Sequence, residues 1–208
     1  MRTLLERIHE YIGCLSPKRL RHTLGVEKAA LMLKDNHYPA LDGEMVSAAA
    51  LLHDCTKELT ADGQLEAAAK HGATFNELEL NAPKLRHAVT GAAVARSVFG
   101  LGEDVCNAIL YHTTAKGDMT PMEKILYLAD FIDENRNDEL CVSVRERYFE
   151  FLEANAHTAM DKTLIYALDR SIEILNEECK QIHPHTIEAR NFLKESLADE
   201  DNGRRGKR

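Results

Sequence analysis

Apolar residues along this chain recur at spacings of three and four, and no run of alternating β-branched residues bounded by turn chemistry interrupts them. Leu4 to Leu15 sets apolar against charged positions at helical spacing. Ser16-Pro17 then offers a cap and a proline suited to a first helical turn, which predicts a helix to about Asp35. Arg19 and His22 share one face of it, continued by Val26 and Ala29. After a loop at Asn36 to Pro39, Met45 to Leu52 is small and apolar on several sides, as expected of a central buried helix that ends at His53-Asp54. Thr60-Ala61-Asp62 opens a short helix to about His71, which Gly72 stops. Ala73 to Pro83 shows no clear period.

Farther along, the small residues of His87 to Ala95 permit close helix contact, and Glu103 to His112 puts Val105, Ala108, Ile109 and His112 on one stripe. Thr120-Pro121-Met122-Glu123 has the form of a capping box with proline at the first helical position. In the helix it begins, Ile125, Leu128, Ala129 and Ile132 make the apolar stripe, and Asp130 sits beside it. Val144 to Gln181 is a long amphipathic region with room for two helices, expected to pack on the core, and Pro184 starts a last helix ending near Leu197. The expected fold class is all-α, without an internal repeat.

Composition narrows this picture. At 208 residues the chain fits one domain, expected over residues 1–197, with residues 198–208 as a disordered, basic-ended tail. The formal charge is −8, but residues 203–208 hold four basic side chains, so residues 1–202 set 22 basic against 34 acidic groups, a net of −12. Such a body repels duplex nucleic acid unless a local basic patch overrides it. The five cysteines, Cys14, Cys55, Cys106, Cys141 and Cys179, show no C-x-x-C spacing and read as free thiols of a reducing cytoplasm. The charged, amphipathic N-terminus does not read as a signal peptide, and no apolar run approaches the ~18 residues of a membrane span. A cytoplasmic protein is expected, with a homodimer compatible with the pattern.

The candidate chemistry lies in His22, His53, Asp54, His87, His112 and Asp130, each on a predicted helix or at a helix end. Taken singly, each histidine also fits a satisfied helix-end residue, whereas Asp130 unpaired in an apolar helix would be costly. Imidazole and carboxylate donors suit iron, manganese, zinc or nickel, and the lack of a thiolate cluster argues against a structural zinc site. Six ligands exceed what one tetrahedral site needs; they suffice for two metals if a carboxylate bridges, and Asp54, next to His53, is the natural bridge. Such a centre lowers the pKa of a bound water and clamps an in-line displacement at phosphorus. Two divalent ions against two aspartates leave roughly two positive charges, an attractor for polyphosphate to which Arg19, Lys57, Lys116 and Arg136 could add.

The assembled pattern resembles the HD-domain superfamily of metal-dependent phosphohydrolases, and more closely the bacterial symmetrical bis(5'-nucleosyl)-tetraphosphatases of HD type. The stretches that carry the resemblance are Ser16 to Val26, Ala50 to Lys57, Ala108 to Thr114, and Glu123 to Ile132 with Arg136, and it covers about residues 1–197. It implies an all-α HD-domain helical bundle with a metal centre between helices. The expected cofactor is a divalent metal, iron, with one firm site and a second. The expected reaction is hydrolysis of diadenosine tetraphosphate to two ADP by attack at one of the two inner phosphorus atoms. By resemblance His22, His53, Asp54 and Asp130 hold the firmer metal, and His87 and His112 complete a second or face the phosphates directly. Arg19, Lys57, Thr113 and Arg136 would hold phosphate oxygens, with Asp54 and Lys57 as the catalytic residues. Two departures stand out: Ala115 where the family has glycine after His-Thr-Thr, and Glu134 where it has proline before Asn135-Arg136. The rival readings are an HD-type nucleotidase or nucleoside triphosphate phosphohydrolase and, in another class, a nucleotide-sensing or RNA-associated regulator using the basic tail.

Overall fold

The computed structural model describes residues 2–205, with side chains through residue 199, and among them every regular element is helical. Helix α1 (Leu4–Ile12) is opened by a Thr3 and Glu6 capping box. Ser16 caps α2 (Pro17–His37), accepting from the Arg19 amide, with Pro17 at its first position. Helix α3 (Gly43–Leu52) is buried from Val46 onward on every side. It packs against α1, α2, α6 (Arg86–Phe99), α7 (Glu103–Tyr111) and α8 (Pro121–Ile132), which makes it the central helix its small apolar sequence predicts. Helix α4 (Ala61–His71) starts at a Thr60 cap and stops at Gly72, whose φ of 72° is the left-handed conformation that favours glycine.

Ala73 to Pro83, which has no period in sequence, holds a five-residue helix α5 (Glu77–Asn81) with an Asn76 and Glu79 capping box, followed by a 3-10 turn, Pro83–Leu85. Helical periodicity needs two turns or more to show, so an element this short is invisible to it. The long amphipathic region divides into α9 (Glu139–Ala154) and α10 (Ala156–Glu177), with Asn155 ending one and capping the other. Both pack inward: Val144, Tyr148, Leu164, Ala167 and Leu168 are fully buried. The Tyr148 hydroxyl lies within hydrogen-bond distance of Asn36 and His37 at the end of α2. Helix α11 (Pro184–Arg205) continues past Leu197, where the sequence places the domain's end, since no proline or glycine interrupts residues 198–202. The last residues of the expected tail, 206–208, lie outside the described residues.

Candidate metal centre

Four helices bring one imidazole each to a common point. His53 follows the last turn of α3, His112 follows α7, His87 lies in the first turn of α6, and His22 sits inside α2. Three of them use the same local device. The Nδ1 atom of His53 lies 2.6 Å from the Ala50 carbonyl, that of His87 2.7 Å from Lys84, and that of His112 2.6 Å from Ile109. Each Nδ1–H therefore donates to a carbonyl three residues back, which fixes the tautomer and leaves the Nε2 lone pair facing inward. In His22 the Nδ1 partner is the Asp133 carboxylate, at 2.9 Å.

The Nε2 atoms meet around Asp54. His22 and His53 approach Oδ2 at 3.7 and 3.5 Å; His87 and His112 approach Oδ1 at 3.1 and 3.5 Å. The two groups that could hold a cation are accordingly His22, His53 and Asp54 on one side and Asp54, His87 and His112 on the other. Asp130 adds a carboxylate oxygen 3.1 Å from His22 Nε2. Oδ1 of Asp54 is buried without a hydrogen-bond partner despite the short His87 distance. The reason is chemical: a nitrogen whose proton sits on Nδ1 offers Oδ1 a lone pair, so acceptor faces acceptor. Likewise His87 and His112 bring their Nε2 atoms to 3.1 Å. A buried convergence of lone pairs is stabilised by a cation, and the residues present fit a pair of divalent ions.

Side-chain cations take part of that role. The Arg19 guanidinium hydrogen-bonds Asp54 Oδ2, and the Lys57 ammonium lies 2.8 Å from His87 Nε2 and 3.5 Å from Asp54 Oδ1. Burial works against charge on Asp54, but any of His53, His112 and His87 that carries a second proton, on Nε2, holds its carboxyl well below the usual range. Burial depresses the His87 imidazole to about 4, with Lys57 and His112 adding to the effect, so it is neutral near pH 7. Burial also lowers Lys57. For His22, burial opposes the imidazolium, yet hydrogen bonds to Asp130 and Asp133 outweigh it and raise the group to about 9. Asp130 is drawn down against burial by His22, with His53 and Arg136 assisting.

A cleft of about 630 Å³ opens over the His22 end of the centre and is lined by Arg19, Lys57, Asp130 and Arg136 among others. Arg136 lies 3.2 Å from Asp130 and 3.3 Å from Asp138. The structure thus gathers His22, His53, Asp54, His87, His112, Asp130, Arg19, Lys57 and Arg136. It does not bring Thr113 to that cleft. Thr113 lines a separate cavity with Tyr111 and His185, its hydroxyl buried and unpartnered, because the chain turns after α7 and sends consecutive side chains to different sides. Lys116 is also directed elsewhere, 3.3 Å from the buried Glu123.

Residues absent from the sequence reading complete the frame. Asp133, fully buried at the end of α8, accepts from His22 and from both the amide and side chain of Asn135. Its spacing of three from Asp130 was the available signal. Gly25 makes room for it: a Cβ there would meet Asp133 Oδ1 at 1.8 Å. Arg145 of α9 donates to the Asp133 carbonyl at 2.6 Å and pins the same loop. Behind His87, the Thr56 hydroxyl donates to its carbonyl at 3.0 Å, and Gln64 joins Thr56 to Thr90 in one buried network.

A family model described as HD domain matches residues 19–135, more than half of the chain and inclusive of every imidazole and carboxylate of the centre. The chain belongs to the HD-domain family. Among relatives of this HD-domain protein, a Bacillus subtilis (strain 168) protein named "Bis(5'-nucleosyl)-tetraphosphatase, symmetrical" is 29% identical over 180 residues, 86% of this chain and 91% of its own. A protein of the same name from Halalkalibacterium halodurans is also 29% identical, over 86% of this chain and 90% of its own. A solved structure from Clostridium acetobutylicum, described as a predicted HD superfamily hydrolase involved in NAD metabolism, superposes with a TM-score of 0.80 at 31% identity. It covers 94% of this chain and 99% of that one.

Proposed function

We propose that this HD-domain protein, a metal-dependent phosphohydrolase, cleaves dinucleoside tetraphosphates symmetrically, diadenosine tetraphosphate giving two ADP. The observation that carries the reading is the division of one buried carboxylate between two imidazole pairs, Oδ2 of Asp54 toward His22 and His53 and Oδ1 toward His87 and His112. His22, His53, Asp54 and Asp130 would hold one divalent cation, and Asp54, His87 and His112 a second. Bound there, the pair would supply Lewis-acid stabilisation of phosphoryl oxygens. Arg19 and Lys57, displaced from Asp54, would turn to the phosphate oxygens, where Lys57 would stabilise the charge that develops in the transition state. Arg136 would do the same from the Asp130 side, its planar guanidinium suited to two oxygens at once.

Imidazole and carboxylate donors without thiolate suit iron as they suit manganese, zinc or nickel, and the choice of iron rests on the family resemblance. Symmetry of cleavage rests on the names of the relatives, which also support the dinucleotide as substrate. A nucleotidase needing only one metal would have no use for the His87 and His112 pair. The five free cysteines fit a cytoplasmic location, and among the described residues no helix is long and apolar enough to cross a membrane.

The test is product analysis of iron-loaded protein given diadenosine tetraphosphate, with His53→Ala as control. ADP as sole product, lost in the variant, is expected. AMP with ATP would overturn the cleavage point, and no turnover by fully loaded protein would overturn the substrate.

A further inference from the structure

Lys57 belongs to two cavities at once. It borders the cleft at the His22 end of the centre and also a smaller lobe of about 230 Å³ at the His87 end. Among the described residues it is the one side chain common to both linings. The two spaces differ in character. The cleft mixes Arg19 and Arg136 with Asp54, Asp130, Asp133 and Asp138, whereas no carboxylate lines the lobe. Its polar lining sets Lys57, Lys84 and Arg86 beside the uncharged Gln64 and His87, and its apolar lining includes Leu59, a leucine left 44% exposed, beside Pro83.

Of the cations at the lobe, Arg86 is engaged, donating to the carbonyls of Glu79 and Leu80 at 3.0 and 2.6 Å. Lys84 is exposed, and its own carbonyl is the one that orients His87. Its backbone is therefore tied to the second imidazole pair while its side chain extends from the adjacent 3-10 turn. A substrate cut in its middle presents two equal polyanionic arms, and a centre built around Asp54 needs a receptor for each. We propose that the lobe beside His87 receives the second nucleoside diphosphate arm, Lys84 holding its phosphate and Leu59 with Pro83 packing against its nucleoside. This rests on the dinucleotide reading above. Lys57, at the junction, then faces the phosphates on either side of the broken bond, and Lys84 and Leu59 become residues that distinguish a dinucleotide from a mononucleotide.

ADP serves as the probe. Calorimetric titration of the metal-loaded protein with ADP should give two bound per chain. Lys84→Glu should give one, because a charge-assisted phosphate contact replaced by repulsion weakens binding by about tenfold or more. Leu59→Ser should weaken one of the two sites and leave the other. Both residues are at the surface, so circular dichroism should match the parent. One ADP in the parent, or two with unchanged affinity in both variants, would overturn the proposal.

A kinetic arm separates this inference from the reading beneath it. Leu59→Ser should raise KM for diadenosine tetraphosphate and leave that for adenosine 5'-tetraphosphate, which lacks the second nucleoside. An equal rise for both would overturn the assignment of Leu59. Two ADP bound in a Lys84-dependent way by a protein that does not cleave the dinucleotide would uphold the lobe and reject the substrate.

Discussion

Asp133 holds His22 as backbone carbonyls hold the other three imidazoles, and it can do so only because residue 25 has no side chain. Gly25→Ala should push Asp133 aside and, like Asp133→Ala, weaken metal binding by about 10–100-fold, the usual effect of losing a group that orients a ligand. Competition with a chromophoric chelator measures it; affinity unchanged in both variants would dismiss the role of Asp133. His22 also carries a proton signature. Its folded pKa of about 9 lies above the ordinary histidine value of 6.5. In the metal-free protein its carboxylate contacts therefore contribute stability that is complete below about pH 6.5 and lost as the pH rises through about 9. A ligand Nε2 must be unprotonated, so loading metal near pH 7.5 should release roughly one proton from His22. Titrations in two buffers of different ionisation enthalpy read that proton, and identical heats would contradict it. Ala115 resolves one departure from the family: its φ is 57°, the region a glycine adopts freely. A non-glycine there costs roughly 1–2 kcal/mol, but its buried methyl returns about 0.8 and glycine would add about 0.5–1 of backbone entropy cost. Ala115→Gly should thus change stability by under about 1 kcal/mol in denaturant unfolding. At this scale the candidate ligands were legible because His and Asp stood out against apolar helices. Asp133 and Gly25 were not, since their importance lies in a contact between residues more than a hundred positions apart.

Helix α2 carries both Arg19 and His22, so its first turn sets where two groups of the centre stand. Ser16 caps that turn and is also bound by Glu58, the residue after Lys57, which lies on the segment following α3. Ser16→Ala should cost about 1 kcal/mol of stability, lowering the melting temperature by roughly 2–4 °C, and should misplace α2 relative to Asp54. A fall in melting temperature without any fall in metal affinity would confine Ser16 to capping. Helix starts marked by local chemistry were legible before the fold: Ser16-Pro17, Thr60 and Thr120-Pro121 each cap a helix where the sequence expects one. The brief α5 and the 3-10 turn were not, although they deliver Lys84 to His87, because three to five residues carry no periodic signal. Thr113 stands apart from the cleft for a related reason. Adjacency to His112 in sequence suggested adjacency in space, and at the end of a helix the next side chain points elsewhere.

Across the whole molecule, the central α3 touches the elements that bear the converging imidazoles and carboxylates, so folding and assembly of the centre are one event. Removing metal should leave a folded but less stable protein, since the imidazoles and Asp54 then rely on Arg19 and Lys57 for compensation. Adding metal back at 100 times its dissociation constant should restore about 2.7 kcal/mol per site. Thermal unfolding with and without chelator checks this, and equal midpoints would argue against a resident cation. The all-α class followed from periodicity alone, whereas the meeting of α2, α3, α6 and α7 at one point is a tertiary fact that no local pattern encodes. That meeting is uneven in one respect. His53, His87 and His112 take their aim from carbonyls three residues away on their own segments, whereas His22 takes its aim from a group 111 residues distant. Slight breathing between α2 and the end of α8 would therefore release one cation while the other kept its ligands aligned. Two cations held there would be tenants on unequal terms, and the order in which the centre emptied would be set by which imidazole depends on a remote neighbour.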